Sequence, residues 1–298
     1  MRRNLLRALI ALVVVALAIA GFVFARSEIA LHDTWAIDES ALAIPNDADA
    51  IVRGEHVAIT RGCPECHEKD FGGKVVMESP PIGRMAAPNV TRGEGGLPAD
   101  FADRDFERAI RHGVKPDGHA LLFMPARDFA GLSDADTADL IAYVKQRPPV
   151  DRELAPSYIG PLGRALFAFG QLPMLEARMI DQHAAHVLHM ETASTIEYGR
   201  YLAQSCTGCH GEHFSGGAIP GVPPDFPKPL NITPDVATGI GSWSKEDFYR
   251  VFREGKKPDG SAIDPFMPWP AMGKFTDTEL EALWAFERSI PARAAGQR

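Results

Sequence analysis

A Cys-x-x-Cys-His motif occurs twice in this chain, and its side chains are the ones best suited to do chemistry. The motif residues are Cys63, Cys66 and His67 in the first copy and Cys206, Cys209 and His210 in the second. The two thiols of each copy are three positions apart, and the next residue carries an imidazole. This motif is a signature of covalent haem attachment, in which the thiols bond to the porphyrin edge and the histidine binds the iron. The sequence therefore predicts two haem c groups.

Two other uses of paired cysteines fit the pattern less well. A zinc site would have to join two pairs that lie far apart in the chain, and it would leave the following histidines unexplained. A thioredoxin-like redox site would need a βαβ setting, which the sequence does not indicate. A structural zinc protein remains the alternative to a haem protein.

Methionine is the candidate for the second iron ligand. Met124 follows His67 at the same distance along the chain as Met267 follows His210, and each methionine is in a Phe-Met-Pro segment. A buried methionine is usually a core residue, but the repeated distance and neighbours favour ligation. An iron with both axial positions filled is left with one-electron exchange. The predicted function is therefore electron transfer, and a catalytic role is not expected.

Five further side chains are candidates for hydrogen bonds to the haem propionates. They are Asn89, Thr91, Asn231, Thr233 and Trp243. Ordinary turn capping explains the asparagines and threonines equally well, so both interpretations stay open.

The same series of short segments occurs twice in the chain. Matching segments are separated along the sequence by nearly the same number of residues as Cys63 and Cys206. Asn-x-Thr, Pro-Asp-Gly and Phe-Met-Pro segments recur in the same order after each motif. Two copies predict two tandem domains rather than a solenoid. The predicted division is an N-terminal segment 1–26, a first domain 48–150, a connector 151–191 and a second domain 192–293.

Each copy is predicted to contain three helices joined by loops, and no persuasive alternation of apolar and polar residues predicts a strand. Ser133, Ser244 and Thr276 each suit a helix N-cap, because an acidic residue follows three positions later. In the connector, His183, His186 and His189 have the spacing of one helix face, where solvated or packing histidines are more common than a metal site.

The N-terminal segment has the composition of a membrane anchor. Arg2, Arg3 and Arg7 precede an unbroken apolar run from Ala8 to Ala25. The length of this run suits a spanning helix slightly better than a signal peptide, although Ala18-Ile19-Ala20 could be a cleavage site. The arginines place that end in the cytoplasm. We expect the rest of the chain on the periplasmic side of a bacterial inner membrane, or free in the periplasm after cleavage.

The net charge of −8 makes nucleic acid a poor partner. An acidic surface is better suited to a basic patch on a redox partner protein.

Several of these segments together resemble a known family. The doubled motif, the run from Asn231 to Trp243, the Pro-Asp-Gly and the Phe-Met-Pro resemble membrane-bound class I dihaem cytochromes c of Gram-negative bacteria. The chain looks especially similar to cytochrome subunits that take electrons from periplasmic alcohol or sugar dehydrogenases. The resemblance covers residues 48–293. After Thr91 the first copy departs from the family run, and family members often carry three haems whereas this chain has two motifs.

The resemblance implies the fold, the iron ligands and the partners. The fold would be all-α, with two tandem class I cytochrome c domains, a helical connector and an N-terminal membrane helix. His67 with Met124 and His210 with Met267 would be the axial pairs. The partners would be a dehydrogenase donor and an oxidase or cytochrome acceptor. The alternative function is a dihaem cytochrome c peroxidase, which would need an iron that can open a coordination position.

Overall fold

The computed structural model describes residues 2–37, 42–220, 222 and 225–298. The α-helices are α1 Arg2–Leu31, α2 Ala48–Thr60, α3 Cys63–His67, α4 Asp103–Glu107, α5 Asp134–Lys145, α6 Pro161–Ala168, α7 Ile196–Ala203, α8 Thr207–His210, α9 Lys245–Glu254, α10 Trp269–Met272 and α11 Asp277–Ser289. Helix α4 continues as a π-helical turn over Arg108–His112. Short 3₁₀ turns cover Ala126–Asp128, Glu176–Met179 and Gln204–Cys206.

In each half, the helix before the motif crosses the last helix of that half. Helices α2 and α5 cross at Gly54, where a Cβ atom would lie 2.0 Å from the Asp139 carbonyl oxygen. Helices α7 and α11 cross at Gly199, where a Cβ would lie 1.9 Å from the Ala282 oxygen. Only glycine allows this approach, because it has no side chain. The two crossings therefore make the halves structurally alike.

The predicted helix starts are confirmed. Ser133 accepts a hydrogen bond from the Asp136 N–H at the start of α5. Ser244 and Thr276 form capping boxes at the starts of α9 and α11. Local side-chain chemistry sets these ends, since each cap satisfies an N–H group that has no partner within the helix.

A small antiparallel sheet corrects the all-α prediction. Strands β1 Lys74–Ser79, β2 Gly83–Ala87 and β3 Tyr158–Ile159 lie in the order β1-β2-β3. Lys74 pairs with Ala87, and Gly83 pairs with both Ser79 and Ile159. This sheet could not be predicted from the sequence, because its strands are short and partly exposed on both faces. Apolar and polar residues therefore do not alternate along them.

The two halves share one continuous cluster of buried apolar side chains. Polar contacts also join them. The His56 Nε2 lies 2.8 Å from Oε1 of Glu279, and Tyr201 Oη accepts from the Ser133 N–H at 3.0 Å. The packing is therefore continuous across the predicted domain boundaries, and the division at 150 and 192 stays a prediction.

The connector is helical only in part. It contains β3, α6 and the turn Glu176–Met179. The stretch that holds His183, His186 and His189 is not helical, so these side chains do not form the predicted stripe. The reason is that the Val187 and Leu188 carbonyls accept from the first N–H groups of α5, at 2.8 and 3.1 Å, which holds this stretch outside a helix.

Helix α1 is 30 residues long, and its apolar part is almost wholly exposed. Its length and composition allow it to cross a membrane. Its last turns pack into the first half, where Ser27 and Ala30 are buried. Beyond the helix, the Trp35 N–H donates to the Gly118 carbonyl at 2.9 Å. The end of α1 and the residues up to Trp35 are thus packed against the folded part of the chain.

Candidate haem-binding sites

Each Cys-x-x-Cys-His motif lies on a short helix that follows the first long helix of its half. The first motif forms α3, which starts after Gly62 in the left-handed region at φ 75°. The second motif spans the turn Gln204–Cys206 and α8. The four cysteines are half-buried and are not joined in disulfides. The predicted sequence motif therefore becomes a helical turn with free thiols and an adjacent imidazole in both halves.

The two motif histidines have the same kind of hydrogen-bond partner. Nδ1 of His67 lies 2.9 Å from the Pro88 carbonyl oxygen, and Nδ1 of His210 lies 2.8 Å from that of Leu230. A carbonyl can only accept, so Nδ1 carries the proton and Nε2 keeps its lone pair. Burial lowers the pKa of both imidazoles and so favours the neutral form. A neutral ring with a free Nε2 is the form that binds a metal.

Backbone turns place these two carbonyls. Gly73 has φ 75°, and a Cβ there would lie 2.5 Å from the Pro88 carbonyl carbon. Gly216 has φ 64°, and a Cβ there would lie 2.4 Å from the Leu230 oxygen. Phe71 also adopts φ 59°, as does its counterpart in the second half. Such a conformation is unfavourable for a bulky residue, so the surrounding fold must impose it in both halves.

The thiols are in an environment that keeps them protonated. Burial raises the pKa of the Cys63 thiol to about 12 and also raises the pKa of Cys206. Redox-active Cys-x-x-Cys sites instead have lowered thiol pKa values. Within the described residues, no cluster of three or more His, Cys, Asp or Glu side chains suits a metal ion. The structure therefore supports neither the zinc nor the thioredoxin-like alternative.

Met124 and Met267 are half-buried and pack against the shared apolar cluster. Their local turns are alike, because the Ala126 N–H donates to the Met124 carbonyl at 2.8 Å and the Trp269 N–H donates to the Met267 carbonyl at 2.7 Å. Phe123 precedes the first methionine at φ 65°. The two thioethers thus occupy equivalent positions, and their role as iron ligands stays a prediction.

The asparagine and threonine side chains bond to the protein itself. The Asn89 amide donates to the Val150 carbonyl at 2.6 Å, and its Oδ1 accepts from the Thr91 hydroxyl at 2.8 Å. Asn231 donates to the Arg293 carbonyl at 2.7 Å and accepts from Thr233 in the same way. Each pair ties the loop after the motif to the segment that follows the last helix of its half.

These contacts are the turn capping that the sequence left open as an alternative. Trp243 is half-buried against the shared cluster. The propionate contacts of the five side chains stay a prediction.

The donor set and the surroundings fit a covalent haem. Each half offers two free thiols, a neutral imidazole with an available Nε2, and a half-buried thioether. Buried aromatic and aliphatic side chains surround them and would exclude water from a porphyrin, among them Phe71, Phe106 and Ile141 in the first half and Ile240, Phe248 and Leu283 in the second. A planar apolar ring with an iron at its centre needs this combination.

Two charged side chains in this region have surroundings that the fold creates. Arg111 is 1% exposed and pairs with Glu107 at 2.9 Å and Asp134 at 2.5 Å. Asp128 lies against Gly208 of the second motif. Burial, together with the negative charge of Glu176, raises the pKa of Asp128 to about 7. The Arg111–Glu107 pair joins neighbouring turns of one helical segment, whereas Asp134 and the surroundings of Asp128 come from distant segments, which leave no local pattern.

Comparisons with known proteins agree with this geometry. The family model described as "Cytochrome c" matches residues 51–148, and the model described as "Cytochrome C oxidase, cbb3-type, subunit III" matches residues 197–286. The two matches begin and end close to the helices that cross in each half. Two stretches of the chain therefore match cytochrome c family models, and the predicted resemblance is confirmed.

The curated relatives include dehydrogenase cytochrome subunits and a dihaem cytochrome. The chain is 32% identical over 281 residues to the cytochrome c subunit of the quinone alcohol dehydrogenase of Gluconacetobacter polyoxogenes, a match covering 85% of this chain and 58% of that protein. It is 26% identical to the fructose dehydrogenase cytochrome subunit of Gluconobacter japonicus, covering 82% and 53%. It is 25% identical to a diheme cytochrome c-type protein of Cereibacter sphaeroides, covering 80% and 86%. The chain thus spans little more than half the length of the two dehydrogenase subunits.

Proposed function

We propose that this chain transfers electrons through two covalently bound haem c groups, each with one histidine and one methionine as axial ligands. The observation that carries the proposal is a hydrogen bond of the same kind in each half. Nδ1 of His67 bonds to the Pro88 carbonyl and Nδ1 of His210 to the Leu230 carbonyl, and each histidine follows two free thiols of the same spacing. A single such arrangement could be accidental. Two such hydrogen bonds in one chain, with N···O distances of 2.9 and 2.8 Å, support two sites of the same kind.

The protein's own groups would bind, orient and shield the cofactor. The thiols would form thioether bonds to the porphyrin, and the carbonyls of Pro88 and Leu230 would hold each imidazole in one tautomer and one orientation. The methionines Met124 and Met267 would close the opposite faces, so that oxygen and peroxide find no free position. A haem c supplies one-electron exchange at its iron. The apolar surroundings keep that exchange away from water.

The proposed electron donor is a dehydrogenase. The support is the similarity to cytochrome subunits of alcohol and fructose dehydrogenases, which are named as parts of such enzymes. In this assignment the chain is the electron-transfer subunit, substrate oxidation belongs to the partner, and the acceptor is an oxidase or another cytochrome of the respiratory chain. Isolation of the chain from native membranes, followed by identification of the proteins that accompany it, tests this assignment.

The proposed location is the periplasmic face of an inner membrane, with α1 as the anchor. The exposed apolar surface of α1 and the arginines at its start support this arrangement. Burial of Ser27 and Ala30 supports retention of the helix end in the mature fold. The N-terminal sequence of the membrane-bound protein tests retention of the anchor, because cleavage after Ala20 would remove most of the apolar run.

Optical spectra of the reduced protein, with and without carbon monoxide, separate electron transfer from the peroxidase alternative. Filled axial positions predict that neither haem spectrum changes on addition of carbon monoxide to the reduced protein or of peroxide to the oxidised protein. Ligand uptake at one haem would instead identify an iron with an open position, and the peroxidase function would replace this proposal.

A further inference from the structure

Helix α6 of the connector runs antiparallel to the last turns of α1. Arg164 donates to Ser27 Oγ at 2.8 Å and pairs with Glu28 at 2.6 Å. Five positions later along the connector, the Phe169 ring lies 6.4 Å from the ring of Phe22. As the connector chain advances from Arg164 to Phe169, it therefore moves along α1 toward the apolar run.

The contact with Phe22 sets the depth that Phe169 must have in a membrane. The run from Ala8 to Ala25 is about 27 Å long at about 1.5 Å per residue, close to the roughly 30 Å of a bilayer's hydrocarbon core. Phe22 lies three positions before the end of this run, or about 4.5 Å inside it. A ring packed against Phe22 would then lie at the outer edge of the hydrocarbon rather than in bulk water.

The end of α6 has the surface expected at that depth. Phe169 is 58% exposed, and Phe22 beside it is 52% exposed, so the two rings form one apolar surface that continues along α1. Gly170 turns the chain at φ 70°, and Gln171 is also exposed. We call Phe169, Gly170 and Gln171 the connector tip. The side chain of Arg164 lies one to two turns back, where a cation can reach the lipid headgroups.

The start of α6, the helix that leads to the connector tip, is also packed against the first half. Gly163 packs against the Ile82 carbonyl, where a Cβ would lie only 2.0 Å from the oxygen. The Leu162 N–H donates to the Pro81 carbonyl at 2.8 Å. Strand β2 follows directly and leads to Pro88, the partner of His67. A tip held in a membrane would therefore orient the first half toward that membrane.

We propose that the connector tip is a second membrane contact, which enters the acyl-chain region of the outer leaflet beside α1. This inference rests on the anchoring proposed above and adds a second attachment point to it. One helix alone leaves a domain free to rotate about the membrane normal and to tilt. Two contacts, held together by Arg164 and the ring pair, restrict both motions and present one face of the protein to its redox partners.

Site-directed spin labelling tests this contact in the full, haem-loaded chain. The variant Phe169→Cys carries the label at the tip. Leu17→Cys, on the exposed apolar surface of α1, is the control for the membrane interior, and Val236→Cys, at a 73% exposed site in the second half, is the control for water. In the loaded protein the four native thiols are consumed, so the introduced thiol is the only one that takes the label.

Each variant is reconstituted in vesicles of phosphatidylcholine and phosphatidylglycerol. Power saturation then compares collisions of the label with oxygen, which concentrates in lipid, and with a nickel chelate, which stays in water. The expected result is that oxygen dominates for Phe169→Cys and Leu17→Cys, and that the nickel chelate dominates for Val236→Cys. Nickel dominance at Phe169→Cys with oxygen dominance at Leu17→Cys overturns the second contact alone. Nickel dominance at both overturns the anchor as well.

Discussion

The Arg61 guanidinium donates a 2.8 Å hydrogen bond to the carbonyl oxygen of Leu202, and this bond joins the two halves of the chain. Arg61 is 8% exposed, also donates to Ser205 Oγ at 3.1 Å, and lies over the Tyr201 ring with its Cζ 5.3 Å from the ring centre. Both ends of this contact lie beside a Cys-x-x-Cys-His motif, two positions before Cys63 and four before Cys206. One buried cation thus helps to fix the relative position of the two motifs.

We expect Arg61→Leu to destabilise the chain by about 1–3 kcal/mol, because the Leu202 carbonyl would lose its charged donor and keep only the Ser205 hydroxyl at 3.2 Å. Thermal unfolding followed at the Soret band measures the loss. The matched control is Arg200→Leu, an exposed arginine whose Cζ lies 5.5 Å from the centre of the Phe286 ring within one half. The control should lose under about 1 kcal/mol. Equal losses in the two variants would contradict the assignment of Arg61 to the contact between halves.

The two helix crossings predict a strong effect of one added methyl group. Gly54→Ala would place a carbon 2.0 Å from a backbone oxygen and Gly199→Ala would place one 1.9 Å away, so the crossing helices must separate. Overpacking of this kind costs about 1–3 kcal/mol or more. Because the crossing precedes the motif in each half, the yield of haem-loaded protein should fall as well.

The control for this pair is Gly21→Ala in α1, where a Cβ meets nothing within 4 Å. Yield and unfolding temperature of that variant should match the unchanged protein. If Gly54→Ala or Gly199→Ala behaved like the control, the close approach of the helices would be wrong.

Replacement of the candidate axial methionines predicts a spectral change in one haem at a time. Met124→Ala and Met267→Ala should each convert one of the two haems to a high-spin or differently ligated form, while the other haem keeps its spectrum. Met272→Ala is the matched control, because Met272 is also half-buried against the shared cluster but has no counterpart in the first half. An unchanged spectrum in either of the first two variants would reject that methionine as an iron ligand.

The raised pKa of Asp128 predicts that the free energy of unfolding depends on pH. Its pKa is raised to about 7 in the folded chain, by burial first and then by Glu176, whereas an unfolded aspartate titrates near 3.9. The folded state therefore holds this proton more tightly. The associated stability is fully present below about pH 4 and is lost as the pH rises to about 7.

Asp128→Asn should remove this loss. Relative to the unchanged protein, the variant should gain at least about 1 kcal/mol more at pH 8 than at pH 5, or a few degrees in unfolding temperature. Comparison of the two proteins at both pH values cancels the titration of other groups. The same difference at both pH values would show that the Asp128 carboxyl is not desolvated by its position beside Gly208.

The helices and the motifs could be predicted from the sequence because their signals are local. Ser133, Ser244 and Thr276 cap helices through the next three residues. The spacing within each Cys-x-x-Cys-His motif is that of one helical turn. The family resemblance rested on the same short segments, and the comparisons confirmed it.

Features made by distant segments could not be predicted in this way. Strand β3 consists only of Tyr158–Ile159. It comes after α5 in the sequence, yet it pairs with β2, which comes before α5. The connector around His186 avoids a helix because its carbonyls bond to the start of α5. Arg61 and Asp128 have their environment from the opposite half of the chain, so nothing near them in the sequence marks them.

Each pair of thiols is proposed to carry one haem. Intact-mass analysis of the mature polypeptide, combined with the pyridine haemochrome spectrum, tests it most directly. The expected result is a mass increase equal to two haem groups. One group should be lost in each of the double variants Cys63→Ala/Cys66→Ala and Cys206→Ala/Cys209→Ala. A polypeptide with no added haem mass, or one whose haem content is unchanged in a double variant, would contradict it.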